Sequence, residues 1–183
     1  MANIVILVGS PTERSRLHGV VEHVRSQLAE AGVRPSLVAV RDLPAEDLLH
    51  ARFDSEAILA ANRVVDEADA VIIATPVFKA SFPGALKAYI DLLPQKGLQN
   101  KIVLPIAIGG TIAHLLAIDF AMKPVLSTMG PRNVLAGVFV LDAQVVWKED
   151  GSADIAEEAV SRLNESIKVL LQETDRHAPN IKA

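Results

Sequence analysis

Residues 70–93, AVIIATPVFKASFPGALKAYIDLL, constrain this chain more than any other stretch. Val71, Ile72 and Ile73 form an apolar, β-branched run bounded by turn signals and too short for a helix. Such a run predicts a strand buried on both faces of a parallel sheet. The strand stops at Thr75-Pro76, and the loop over 77–82 carries Phe78, Lys79 and Ser81. Pro83-Gly84 then opens a helix with Leu86, Tyr89, Ile90 and Leu93 on one face. A strand end, a loop of polar and flat groups and a helix start together surround the ligand crevice of an open α/β sheet.

The rest of the chain repeats that unit. A buried strand over 3–8 runs into Gly9-Ser10-Pro11-Thr12-Glu13-Arg14-Ser15-Arg16, and a helix follows over 14–31. Its stripe is Leu17, Val20, Val21, Val24 and Leu28, and Gly32 closes it. A strand over 36–40 and a helix over 54–68 come next. Asp54 or Ser55 is the expected cap, and Ile58, Leu59, Val64 and Val65 the expected inner face. The strand over 101–108 contains Pro105, which predicts a bulge or a break in the ladder. It ends in Gly109-Gly110-Thr111, and a helix over 112–129 carries Leu115, Leu116, Ile118 and Val125, bent by Pro124.

A fifth strand is expected over 134–141, a short extension at 145–147 and a last helix over 153–173 with Ile155, Leu163, Ile167, Leu170 and Leu171 in register. Five strands alternating with five helices give an α/β, doubly wound parallel sheet of order 2-1-3-4-5 with helices on both faces. The domain is expected over 1–174, with a frayed polar tail at 175–183. That order sets the loop after the first strand beside the loop after the third.

Composition excludes several chemistries. With no cysteine there is no disulfide framework, thiolate metal site or cysteine nucleophile. A net charge of −4 without a basic run argues against a phosphate-tracking nucleic-acid surface. No apolar stretch is long enough to span a bilayer, so a soluble, cytoplasmic protein is expected. The histidines lack ligand spacing, and no metal is assigned.

The first loop offers Ser10, Thr12, Ser15, Arg14 and Arg16 at a helix N-terminus, groups that suit a phosphate monoester. The same residues are consistent with plain helix capping and solvated arginines. Only one glycine is present, no Gly-Lys-Ser/Thr follows, and no acidic ribose-binding residue is assigned about 20 positions on, so FMN fits better than a dinucleotide. Its phosphate would sit at 10–16. Its ring would lie between Thr75, Pro76, Val77, Phe78, Lys79 and Ser81 on one side and Gly109, Gly110 and Thr111 on the other. No acid–base dyad or nucleophile is required, because the flavin carries the chemistry.

The segments TPVFKASFPGALKAYIDLLP, LPIAIGGTIAHLLAIDFAMKPVL and DLLHARFDS resemble the NADPH-dependent FMN reductases. Among these they are most similar to the two-component reductases that supply reduced flavin to alkanesulfonate monooxygenases. The similarity runs from Ile4 to about Gln144. It implies a flavodoxin-like fold, hydride transfer from NADPH to FMN, a homodimer or homotetramer, and a flavin-dependent monooxygenase as partner. It also implies a π-bulge in the helix after Gly109-Gly110-Thr111, at a position commonly tyrosine, where this chain has Phe120. His114 is a candidate contact to nicotinamide or to a neighbouring subunit. The rival readings are a reductase of quinones, azo dyes or chromate that retains its FMN, and a flavodoxin-type electron carrier.

Overall fold

The parallel sheet forms from the short apolar runs. The computed structural model describes residues 2–12, 14–149 and 151–177. The strands are β1 (Ile4–Val8), β2 (Ser36–Ala39), β3 (Ala70–Pro76), β4 (Ile102–Gly109), β5 (Asn133–Val134) and β6 (Val138–Leu141). Their order is β2-β1-β3-β4-β5, with β6 also on β4, and every pairing is parallel. The flavodoxin-like order expected from the sequence is therefore present.

The two-residue period of the strands divides the core. Ile4, Ile6, Ile72, Leu104 and Ile106 face α1 (Arg16–Glu30) and α6 (Glu157–His177). Val5, Leu7, Val71, Ile73 and Val103 face α3 (Glu56–Asp66), α4 (Gly84–Ile90) and the 118–129 segment. Both faces are covered, which is why β1, β3 and β4 are apolar at nearly every position.

Pro105 does not interrupt its own strand: β4 pairs with β3 without a bulge from Ala70↔Ile102 to Pro76↔Ile108. The break falls on the neighbour. Val103 accepts from Leu135 N at 2.8 Å on one side, while Ile108 accepts from Val77 N at 2.8 Å on the other. Pro105, in phase with Val103, thus turns its missing N–H toward the fifth-strand position, and that strand splits into β5 and β6. Gly137, at φ +88°, crosses the gap; a Cβ there would lie 2.7 Å from the Pro105 carbonyl oxygen. The single expected strand over 134–141 is therefore two.

Other expectations change as well. A helix missed in the sequence, α2 (Ala45–Leu49), packs against α4. The Ser55 hydroxyl does not cap α3; it donates to the Asp47 carboxylate, whose other oxygen accepts from Arg52 at 3.0 Å. Leu59 faces solvent rather than the core. Residues 145–155 form an antiparallel hairpin of β7 (Val145–Trp147) and β8 (Ala153–Ile155), so Ile155 belongs to a strand and the last helix begins only at Glu157. That helix runs to His177, with Thr174 buried and its hydroxyl donating to the Leu170 carbonyl, so residues 175–177 of the expected tail belong to the helix. Residues 178–183 of the expected tail lie outside the described residues.

The segment 112–129 is not one helix bent at proline. It is a 3₁₀ turn (Ile112–His114), a π-helical turn (Ile118–Met122) and α5 (Lys123–Ser127). Pro124 is the second residue of α5, directly after the π turn, so it stands where the regular helix resumes. The π turn agrees with the bulge that the resemblance implied.

Candidate functional site

The cleft lies where strand order reverses. From β1 the chain crosses to β2 on one side, then returns to β3 on the other, so the two loops after β1 and β3 leave the sheet in opposite directions and a crevice opens between them. Gly9 N donates to Ala74 O at 2.7 Å and keeps the two strand ends together. The cleft has a volume of about 880 Å³.

One wall is the N-terminus of α1. Thr12, Arg14, Ser15, Arg16 and His18 line it. Ser10 lies beneath, wholly buried, its hydroxyl 3.2 Å from that of Thr12 and accepting from Thr12 N at 3.3 Å. Ser15 is the N-cap: its hydroxyl accepts from Leu17 N at 3.3 Å, and His18 Nδ1 accepts from Ser15 N at 3.4 Å. A capping box normally places Glu or Gln where His18 stands. Because α1 begins at Arg16 rather than 14, Arg14 remains in the loop, and both guanidinium groups are exposed. Arg41, one residue into the turn after β2, donates to the Thr12 carbonyl at 3.4 Å. The wall thus combines hydroxyls, helix-terminal N–H groups and cations, a donor set for an anion.

The opposite wall is the strand-end loops. Pro76, Val77 and Phe78 line the cleft from β3, and Ile108 and Gly109 from β4. Thr75 is buried under them, donating to the Pro76 carbonyl at 3.0 Å. The loop at 77–82 is a tight turn: Phe78 N donates to Ser81 O at 2.7 Å and Ser81 N to Phe78 O at 3.1 Å. Both central residues, Lys79 (φ 50°) and Ala80 (φ 62°), are left-handed without being glycine. That is the backbone of a type I′ hairpin turn, held at a cost in side-chain strain. Lys79, Ser81, Gly110 and Thr111 are not among the lining residues; they stand outside the wall, and Ser81 does not cap α4. The Thr111 hydroxyl accepts from Ala113 N at 3.3 Å and starts the 3₁₀ turn. On Gly110 a Cβ would meet only Asp142 Oδ2, at 3.5 Å, so the backbone there is open to a flat group.

The remaining side is one the sequence reading missed. Asp142, Trp147, Lys148, Glu149 and Gly151 close the cleft from the end of β6 and the β7–β8 hairpin. Lys148 pairs with Asp154 at 2.6 Å across the hairpin. A period-2 pattern over three residues on each strand was too short to be separated from the start of α6. For Arg41 a signal did exist, since the order 2-1-3 already set the end of β2 beside the first loop.

His114 and Phe120 lie away from the lining, on the 3₁₀ and π turns. Phe120 is 77% exposed, and Ile112, Leu115 and Leu116 are exposed beside it. Burial pushes His18 below the ordinary imidazole range, with Arg41 next in effect, while Glu22, the Ser15 backbone and Asp42 pull it upward.

Comparison with known proteins agrees with this geometry. The family described as NADPH-dependent FMN reductase matches residues 2–145. The chain is 48% identical to an FMN reductase (NADPH) of Pseudomonas putida, over 90% of this chain and 84% of that protein. It is 46% identical to an FMN reductase (NADPH) of Escherichia coli K12, over 78% and 75% respectively. Among solved structures, the apo form of the NADH:FMN oxidoreductase EMOB superposes with a TM-score of 0.83 at 32% identity, covering 94% of this chain and 90% of that one. With a flavodoxin-like sheet, a helix terminus rich in hydroxyls and cations at the switch point and these relatives, the chain belongs to the NADPH-dependent FMN reductase family.

Proposed function

We propose that the chain reduces FMN with NADPH in the β1–β3 cleft and releases the reduced flavin to a flavin-dependent monooxygenase of sulfonate or related sulfur acquisition. The observation that carries the release half of this reading is the π turn at Ile118–Met122, directly beyond the third loop. It is an irregular backbone turn that packs inward through Ile118 and Met122 while Phe120 on it, with Ile112, Leu115 and Leu116 before it, stays exposed.

The residues present fit FMN. Arg14, Ser15 and Arg16 would hold its phosphate from the α1 wall, with Ser10 shaping the loop from below. Thr75, Pro76, Val77, Phe78, Gly109, Gly110 and Thr111 would flank its ring; Lys79 and Ser81 border that site on the strained turn. FMN, when bound, supplies the hydride-accepting ring. The protein binds, orients and leaves room for the nicotinamide, and no side chain is needed as acid or base. His114 and Phe120 are assigned to the nicotinamide side or to an interface with a second copy. That interface makes the protein a homodimer or homotetramer through Ile112, Leu115, Leu116 and Phe120, an exposed apolar set on one irregular segment.

The test is the absorbance spectrum of the purified protein, followed by NADPH oxidation with and without added FMN. A colourless protein whose NADPH consumption requires and scales with free FMN is expected. A yellow protein that oxidises NADPH slowly until a quinone or dye is added would replace this reading with that of a flavin-retaining reductase.

A further inference from the structure

The capping box of α1 has an unusual third residue. Ser15 N–H needs an acceptor, and at this position a capping box normally uses a carboxylate or amide from Glu or Gln. Here the acceptor is the Nδ1 of His18, 3.4 Å away. His18 is half-buried and lines the same cleft as Arg14, Ser15 and Arg16. A glutamate there would set a negative charge inside the first turn of the helix, within the field that attracts an anion. A neutral imidazole gives Ser15 the same acceptor without that charge.

The imidazole has a second state. Protonated, it no longer accepts from Ser15 N–H, which frees that donor, and it adds a cation to the wall. We propose that His18 is a positioning residue for the flavin phosphate: neutral, it caps α1 without repelling the anion, and it takes up a proton as the phosphate docks. The inference rests on the α1 wall being the phosphate site.

The charged groups around His18 favour this role. Arg41 and Asp42 face it from the turn after β2, and Glu22 from the next turn of α1. Arg14, Arg16, Asp142, Lys148 and Glu149 border the same cleft, and His23 and Trp147 flank it on the hairpin side. Burial and Arg41 hold the free imidazole below its ordinary range. A dianionic phosphate beside it opposes both, so the bound form holds its proton to higher pH. The sign follows: FMN affinity, relative to a variant that cannot titrate, rises as pH falls from about 8 toward 6.5. Below about 6 the phosphate itself takes a proton and the trend stops.

The experiment compares His18→Glu and His18→Gln with the parent in fluorescence titrations of FMN and riboflavin from pH 6.5 to 8.5. At pH 8, His18→Glu is expected to lose about ten-fold or more in FMN affinity while riboflavin stays within about two-fold, because only FMN carries the repelled charge. His18→Gln keeps a neutral acceptor and stays within about three-fold for FMN at pH 8. The parent-to-Gln affinity ratio for FMN then grows several-fold toward pH 6.5, and calorimetry in buffers of different ionisation enthalpy shows proton uptake in the parent that the Gln variant lacks. Equal FMN-to-riboflavin ratios in parent and His18→Glu, or a parent-to-Gln ratio flat with pH, would overturn the inference. Arg16→Ala serves as reference. If it too leaves the FMN-to-riboflavin ratio unchanged, the phosphate assignment itself has failed; if it collapses the ratio while the His18 variants do not, only the role of His18 falls.

Discussion

The two long walls of the cleft are built in opposite ways. The α1 wall is closed by local bonds: Ser10 to Thr12, Ser15 to Leu17, His18 to Ser15, all within nine residues of chain. The opposite wall ends in a turn of two left-handed residues, and beyond its Gly109 end the chain runs on through a 3₁₀ turn, a π turn and a five-residue helix. Phe78 on the wall and Ile112, Leu115, Leu116 and Phe120 beyond it are all exposed. An anion site can be written in one short segment because a helix terminus supplies both donors and field. A flat apolar site leaves greasy surface behind, and another surface has to cover it.

The sharpest break of that contrast is chemical. If the α1 wall alone carries the phosphate, Arg16→Ala weakens FMN about 10- to 100-fold, the equivalent of a charged hydrogen bond of about 1.5–3 kcal/mol, and leaves riboflavin nearly unchanged. Equal losses for both flavins would mean that Arg16 shapes the site rather than holding the anion. Beyond the other wall, if the exposed set around Phe120 is the proposed self-association surface, Leu116→Asp is expected to weaken self-association at least ~10-fold by placing a carboxylate in an apolar contact. Light scattering at micromolar concentration would then report a smaller particle with unaltered circular dichroism. An unchanged mass would place the interface elsewhere.

The same contrast governs what could be read from the sequence. The sheet order was legible because each buried strand is a β-branched run and each connection is long enough for a helix. That the 10–16 loop lines the cleft was legible because its groups are contiguous. Legibility failed where the cause lies in another segment. Pro105 looked like a defect of β4, but its missing N–H is answered across the sheet by the split at Gly137. Ser55 looked like a cap, yet Asp47, eight residues earlier, takes its hydroxyl. The hairpin at 145–155 and the reach of Arg41 to Thr12 close the cleft from segments whose own patterns are too short to announce them.

Strain separates the walls at smaller energies. Ala80→Gly removes a left-handed alanine from the tight turn and is expected to raise stability by about 0.5–1 kcal/mol, after the entropy cost of glycine. Ser15→Ala removes the cap of α1 and is expected to lower it by about 1 kcal/mol. Thermal denaturation of the two variants side by side would read shifts of opposite sign. Two shifts of the same sign would show that the ring-side turn is not held under strain.

The smallest effect concerns what braces the ring-side wall from behind. α2 packs against α4, the helix that follows the strained turn, and Asp47 locks the 45–55 segment by accepting from Ser55 and Arg52. The Ser55 hydroxyl holds the Asp47 carboxyl below the ordinary range, with Arg52 helping and burial opposing. A depressed folded-state value means that the contribution is fully present above the unfolded carboxyl value of about 3.9 and is lost as pH falls through the folded value. The urea midpoint of Ser55→Ala should therefore trail the parent by a constant margin from pH 8 to 5. The margin should narrow once the carboxylate in the parent begins to protonate, below about pH 4. A margin that stays constant to the lowest pH at which the protein remains folded would assign the effect of Ser55 to packing. The ring-side wall would then owe its shape to its own turn rather than to the ion-paired segment behind it.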